Sequence, residues 1–172
     1  MPRVPRPTKR ISLSMGPASQ DAARRLELQG LDVPIRPRDD APDLPEDITE
    51  ESDSSLMSLF VRLTRWSEYA ATQLAVAQVD EKFADATLDR MRALSAVANK
   101  AEKTVTAAKA RAYEDAEYLE AQEAYHSAYA FRKLVEAVYN NTDRKAALIS
   151  RELTRRVGRN DRDNRAAGRF GT

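Results

Sequence analysis

Apolar residues recur every three or four positions along two stretches of the chain. The first stripe comprises Leu56, Leu59, Leu63, Trp66, Ala70 and Leu74, and then Met91, Leu94, Val97, Ala101, Val105 and Ala108. The second comprises Tyr118, Tyr125, Ala128, Phe131, Val135 and Val138, and then Leu148, Ile149 and Leu153. This spacing is typical of amphipathic helices. It predicts a first helical arm over residues 54–112 and a second over 117–157.

The same region lacks the two residues that normally interrupt a helix. Every glycine and proline lies outside residues 46–157, and inside a helix they cost about 1 and about 3 kcal/mol relative to alanine. We therefore predict an all-α fold in which the chain reverses at 113–117. Weak periodicity predicts a bend or break at 80–85. The segment 140–143 predicts a kink or a new helix, because its residues are poor helix formers and good caps.

These arms predict a long antiparallel helical hairpin or a small helical bundle. A helix of about 55 residues is roughly 80 Å long, and one hairpin of such arms cannot bury both of its apolar sides. We therefore expect a homo-oligomer, with Phe131, Val135 and Val138 in its association surface. The alternative is a monomer whose first arm breaks at 80–85 and folds back as a three-helix bundle.

The flanks of the helical domain have a different composition. Four prolines lie within the first 20 residues and four more between residues 34 and 45. We predict an extended Pro-rich arm over 1–53, the helical domain over 54–157 and a flexible basic tail over 158–172. Inside the arm, residues 20–29 favour a short helix that ends before Gly30.

Charge is segregated along the chain although its formal net charge is only +1. Residues 31–55 contain nine Asp or Glu against Arg36 and Arg38, a net charge of −7. Residues 144–172 contain nine Arg or Lys against three acids, a net charge of +6. A basic end suits a polyanion such as nucleic acid, and the acidic segment either covers that end in cis or keeps the chain soluble.

Several classes of function are disfavoured by composition. The absence of cysteine excludes disulfides and thiolate metal sites. His126 is the only histidine. It has neither the further ligands that a metal site needs nor the partner residues that a catalytic triad needs. The helical region has no Gly-rich phosphate loop. We expect a non-enzymatic protein without cofactor, metal or catalytic residues. No apolar run reaches the length of a membrane span, so we also expect a soluble intracellular protein that binds no membrane.

A group of basic residues stands near the end of the first arm. Lys103, Lys109 and Arg111 precede Tyr113. Lysine and arginine neutralise phosphates, and an aromatic ring can stack on an unpaired base. Basic residues are also favourable at a helix C-terminus because they face the negative end of its dipole. Spacing alone leaves both interpretations open.

The segment KTVTAAKARAY, residues 103–113, resembles the Lys-x-Arg-then-tyrosine segment of the UvsY family, the recombination mediators of tailed phages. Trp66 and Tyr69 lie early in the first helix, as in that family. Residues 131–141 and the last helical segment at 144–151 are similar to its C-terminal pattern.

The resemblance implies a helical protein of the host-cell cytoplasm that assembles into a ring and binds single-stranded DNA. Such a protein helps a RecA-like recombinase to replace a single-strand-binding protein. The resemblance also implies roles for particular residues. Lys109 and Arg111 would contact DNA, and Leu148, Ile149 and Leu153 would drive assembly.

Two other functions fit the same layout. The first is a virion structural or assembly subunit, such as a head-to-tail connector, neck or capsid-associated protein, whose arms bind neighbouring subunits. The second is a regulatory coiled-coil adaptor that offers the aromatic face of its second arm to a partner helix. A mediator needs Lys109 and Arg111 for single-stranded DNA, whereas a virion subunit needs its tails.

Overall fold

The computed structural model describes residues 16–98 and 115–169, with only the backbone described for residues 161 and 163–169. Within these ranges the chain forms three α-helices, namely α1 (Pro17–Leu28), α2 (Asp53–Ala98) and α3 (Ala116–Arg169). The two long helices α2 and α3 pack along each other. The prediction of an all-α helical hairpin is therefore confirmed.

The helix boundaries follow capping chemistry in the sequence. Before α2, the Ser52 hydroxyl accepts a hydrogen bond from the Ser55 amide at 3.1 Å. Before α3, the Asp115 carboxylate accepts one from the Glu117 amide at 3.1 Å. Such side chains satisfy amides that have no partner within the helix. The helix starts predicted at residues 54 and 117 are thus confirmed to within one residue, since α2 begins at Asp53 and α3 at Ala116.

The short helix α1 begins at a proline and ends two residues before a glycine. Pro17 occupies the first turn, where its missing amide costs nothing. Gly30 has a positive φ of 75°. The amides of Gly30 and Leu31 donate to the carbonyls of Glu27 and Leu26, both at 3.0 Å. This is a Schellman motif, which favours glycine because the left-handed conformation strains other residues. The expected helix end before Gly30 is confirmed.

The contact between α2 and α3 follows a heptad repeat. On each helix, buried or half-buried residues alternate in steps of three and four, the pattern of a coiled-coil seam. In α2 they are Leu56, Phe60, Leu63, Ser67, Ala70, Leu74, Ala77, Glu81, Ala84, Leu88, Met91 and Ser95. In α3 they are Tyr118, Ala121, Tyr125, Ala128, Arg132, Val135, Tyr139, Thr142, Ala146, Ile149, Leu153 and Arg156.

The hairpin is antiparallel, and its two core clusters show this directly. Leu56 and Leu63 near the start of α2 share one cluster with Ala146 and Ile149 in the second half of α3. Leu88, late in α2, shares the other cluster with Tyr118 and Ala121 at the start of α3.

The break expected at 80–85 is absent, since α2 runs through these residues without interruption. Two acidic residues of this segment, Asp80 and Glu81, have partners that the sequence pattern does not reveal. Glu81 lies in the seam and forms an ion pair with Arg132, and that hydrogen bond raises the pKa of the arginine. Asp80 accepts a hydrogen bond from the Ser19 hydroxyl of α1 at 2.9 Å.

The new helix predicted after 143 is also absent, because α3 is continuous from Ala116 to Arg169. Thr142 belongs to the seam, and its hydroxyl donates to the Val138 carbonyl at 2.8 Å. The helix continues twelve residues beyond 157, the predicted end of the helical domain, so most of the predicted flexible tail is helical. The first arm was expected to reach 112. Its final part, and residues 113–114 of the predicted turn, lie outside the described residues, whereas residues 116–117 of that turn already belong to α3.

The predicted apolar stripes are correct in part. Leu56, Leu63 and Ala70 are buried as expected. Leu94 and Val97, however, are exposed. The seam there consists of Leu88, Met91 and Ser95. Its heptad positions hold polar and small residues as well as large apolar ones, so an apolar stripe does not identify them all.

Residues 31–52, which we call the strap, run along the hairpin without regular secondary structure. Leu44 and Ile48 pack against the core cluster around Leu56. The strap was predicted to be extended, and these contacts show that its second half is part of the folded core.

Candidate nucleic-acid interface

The four residues predicted to bind DNA lie outside the described residues. Lys103, Lys109, Arg111 and Tyr113 all belong to the segment 99–114, which joins α2 to α3 in the chain.

The residues predicted to mediate association have different environments. Ile149 is fully buried inside the hairpin, and Leu153 packs against the same core. Val135 is half-buried in the seam. Phe131, Val138 and Leu148 are exposed on the outside of α3. Only these last three are therefore available to another molecule.

A groove between the strap and α2 collects four arginines around the only tryptophan of the chain. Its volume is about 460 Å³. The strap contributes Pro34, Ile35, Arg36, Pro37, Arg38 and Asp39, and α2 contributes Arg62, Arg65, Trp66 and Glu68. Since Arg62, Arg65 and Trp66 are spaced by three and four positions, they lie on one face of α2.

Trp66 is held in place by contacts on several sides. Its indole Nε1 donates a hydrogen bond to the Asp39 carbonyl at 3.1 Å. The Arg36 guanidinium carbon lies 5.7 Å from the indole centroid, within the range of a cation–π interaction. Tyr69 meets the indole edge to face, with the ring centroids 5.8 Å apart. The aromatic ring is thus fixed in orientation beside the guanidinium groups.

The positive charge of the groove is only partly neutralised. The closest ion-pair distance between Arg36 and Asp40 is long, at 3.8 Å. Arg62 donates to the Asp40 carbonyl at 3.5 Å. Arg38 and Arg65 form no ion pair or hydrogen bond with the described part of the chain. Two guanidinium groups are therefore free to bind an anion.

The sequence pattern alone does not predict this groove. Arg36 and Arg38 are exceptions in an acidic segment, and they lie more than twenty positions from Arg62 and Arg65. Only the path of the strap brings the two pairs together. The available signal was local, namely the Arg-Pro-Arg sequence at 36–38 and the shared helical face of Arg62, Arg65 and Trp66.

The basic end of α3 is partly occupied by the strap. Arg156 donates to the carbonyls of Ile48 and Thr49 at 3.0 Å each and to that of Glu51 at 2.6 Å. Lys145 forms an ion pair with Asp43 at 3.2 Å. The acidic segment thus covers part of the basic end in cis, the first of its two expected roles.

A single carboxylate organises the arginines at that end. Glu152 accepts hydrogen bonds from Arg155 at 2.6 and 2.7 Å and from Arg156 at 2.8 Å. These bonds, those from Arg155 foremost, lower the pKa of Glu152 from 4.5 to about 2. The same carboxylate raises the pKa of both arginines. Arg155 and Arg156 are thus both paired with a carboxylate within the folded chain.

The chain matches no family model, no curated protein and no solved structure. None of the helices in the described ranges is both long and apolar enough to cross a membrane. Among the described side chains, no group of three or more His, Asp or Glu could hold a metal ion.

Proposed function

We propose that this chain is a non-catalytic, self-assembling helical protein that binds single-stranded DNA through the groove around Trp66. The observation that supports the proposal is that Arg36, Arg38, Arg62 and Arg65 line one groove together with Trp66.

The residue types in the groove match the chemistry of an unpaired strand. Guanidinium groups donate to phosphate oxygens with good geometry. An indole offers a flat surface on which a base can stack, and a base must be unpaired to reach it. The volume of about 460 Å³ lies within the range of small-ligand sites. The groove therefore has room for part of a nucleotide, while the adjoining strand continues over the surface.

The biological role that we propose is that of a recombination mediator acting with a RecA-like recombinase in the host-cell cytoplasm. This role rests on the sequence resemblance to the UvsY family. In that role Lys109 and Arg111 would form a second contact with the same strand.

The proposal predicts that Arg38→Ala/Arg65→Ala weakens binding to single-stranded DNA by at least about tenfold. Each lost charge-assisted hydrogen bond contributes roughly 1.5–3 kcal/mol. The slope of log K against log salt should become shallower by about 1.4, since each phosphate contact on a single strand contributes about 0.7. Fluorescence anisotropy of labelled single-stranded and duplex oligonucleotides across a salt series measures both quantities.

Arg24→Ala/Arg90→Ala is the matched control, because it removes the same charge from exposed positions outside the groove. Its affinity should stay within about threefold of the unmodified chain, given that exposed surface substitutions are usually worth less than about 0.5 kcal/mol. Lys109→Ala/Arg111→Ala tests the second contact separately. Equal binding by the groove variant and the control would contradict the proposal.

A virion assembly subunit is the second candidate, and one observation favours it. Asp53 begins α2 and pairs with Arg156 at 2.7 Å, so α3 extends past the start of α2 by the residues from 157 to 169. This overhang is about 20 Å long and suits insertion between neighbouring subunits. DNA binding that is absent, or that shows no strand preference and is lost on deleting residues 158–172, would favour this role.

A further inference from the structure

We propose that two copies of this chain associate through the outer face of α3, antiparallel to each other about a two-fold axis near Leu134. This interface does not depend on DNA binding. It identifies a surface for the self-association that the proposed function includes.

The outer face carries a second apolar stripe in addition to the seam. It is formed by exposed residues outside the seam positions of α3, namely Ala130, Phe131, Leu134, Ala137, Val138 and Leu148. Leu134 is 68% exposed and Val138 55% exposed. These values show that the described part of the hairpin leaves these two side chains uncovered. Large apolar side chains clustered on one face of a soluble protein typically mark an interaction surface.

The charges on either side of the stripe indicate which partner fits it. Residues 115–131 contain four acidic residues and no Arg or Lys. Residues 144–151 contain Arg144, Lys145 and Arg151 and no Asp or Glu. A second copy laid antiparallel places the acidic part of each helix against the basic part of the other. Self-complementarity of this kind is the property of a two-fold symmetric interface.

Placing Leu134 at the two-fold axis determines the register of such a pair. With Leu134 facing Leu134 of the second copy, Phe131 faces Val138 and Ala130 faces Ala137, so large residues meet apolar ones and small residues allow close approach. The same register places Glu123 opposite Arg144, and the two-fold axis repeats this pair. Glu123 and Arg144 are exposed and form no ion pair within the described part of the chain.

The chain's own N-terminal residues fit the outer face less well. Residues 1–15 contain four basic residues and no acidic one. They would be attracted to the acidic part of α3 but repelled by Arg144 and Arg151. A second copy of α3 offers a basic part to the acidic part of this helix and an acidic part to its basic part.

The test is the molar mass of the full-length chain, measured by light scattering and sedimentation equilibrium over a concentration series. The expected species has twice the chain mass of 19.3 kDa, or a multiple of that dimer. Leu134→Glu places two carboxylates face to face at the axis and should raise the dissociation constant by at least about a hundredfold. Val79→Glu is the matched control, because Val79 is an exposed apolar residue on α2. It should leave the mass unchanged.

A charge exchange tests the register. Glu123→Arg and Arg144→Glu each place like charges opposite one another at both symmetric positions, so each should raise the dissociation constant by about tenfold. The double variant Glu123→Arg/Arg144→Glu restores opposite charges and should recover most of the affinity. Circular dichroism confirms that each variant remains helical.

Four results would overturn the inference. The first is a monomeric mass at every concentration. The second is an unchanged mass for Leu134→Glu. The third is a double charge variant that is no tighter than the weaker single variant. If deletion of residues 1–15 converts a monomer into a dimer, the N-terminal segment covers the face, and the inference is likewise wrong for the unmodified chain.

Discussion

At the scale of single residues, Glu152 shows how a basic surface can become part of the fold. Its side chain is only 6% exposed, and it binds two arginines of its own helix. Arg156 in turn binds the carboxylate of Asp53 and carbonyl groups of the strap. One carboxylate therefore helps to join α3, the strap and the start of α2. A count of charges from the sequence assigns these arginines to a free basic end, since spacing does not reveal that they are paired.

This network predicts a particular loss of stability in acid. The pKa of folded Glu152 is lowered from 4.5 to about 2. A lowered pKa contributes stability above the unfolded pKa, and this contribution disappears as the pH falls from about 4.5 to 2. Glu152→Gln should therefore lower the unfolding free energy at pH 7 and flatten its decrease between pH 5 and pH 2.

Urea unfolding at a series of pH values measures this effect. Glu46→Gln is the control, because Glu46 lies exposed in the strap. It should keep the acid dependence of the unmodified chain. The same dependence in Glu152→Gln would show that this carboxylate contributes nothing to acid sensitivity.

At the scale of helices, the sequence was sufficient to predict the fold class, the helix starts and the short helix before Gly30. It was insufficient to predict which residues form the seam between α2 and α3. Glu81 and Arg132 occupy heptad positions, and such charges look like solvent-facing residues until their partner across the seam is known. Phe131 and Val138 looked like seam residues because they are large and apolar. Phe131, Val138 and Leu148 were consequently each predicted one residue away from an observed seam position. The other predicted residues of this stripe do lie in the seam, namely Tyr118, Tyr125, Ala128, Val135, Ile149 and Leu153.

Two leucines of α2 provide a matched test of the observed seam. Leu88 is 7% exposed and packs in a core cluster, whereas Leu94 is 53% exposed. Leu88→Ala should lower the unfolding free energy by about 2–5 kcal/mol, the usual cost of removing a buried leucine side chain. Leu94→Ala should cost less than about 1 kcal/mol. Urea unfolding of both variants measures these two losses of unfolding free energy. A larger loss for Leu94→Ala than for Leu88→Ala would contradict the observed seam.

At the scale of the whole molecule, the strap connects distant parts of the hairpin. It follows α1, which contacts Asp80, passes the indole of Trp66 and ends at the Arg156 network. The candidate site depends on this path, because the strap supplies six of its ten lining residues. Sequence patterns predict periodic helices far better than the course of an irregular segment, so the fold was predictable while the groove was not.

The intrinsic fluorescence of Trp66 provides the most direct test of the central claim. Trp66 is the only tryptophan of the chain, so its emission reports on the groove alone. Titration with a single-stranded oligonucleotide should change the emission in a saturable way that salt reverses and that Arg38→Ala/Arg65→Ala weakens by at least about tenfold. Unchanged Trp66 emission while oligonucleotide anisotropy rises would place the DNA elsewhere on the protein and contradict the account.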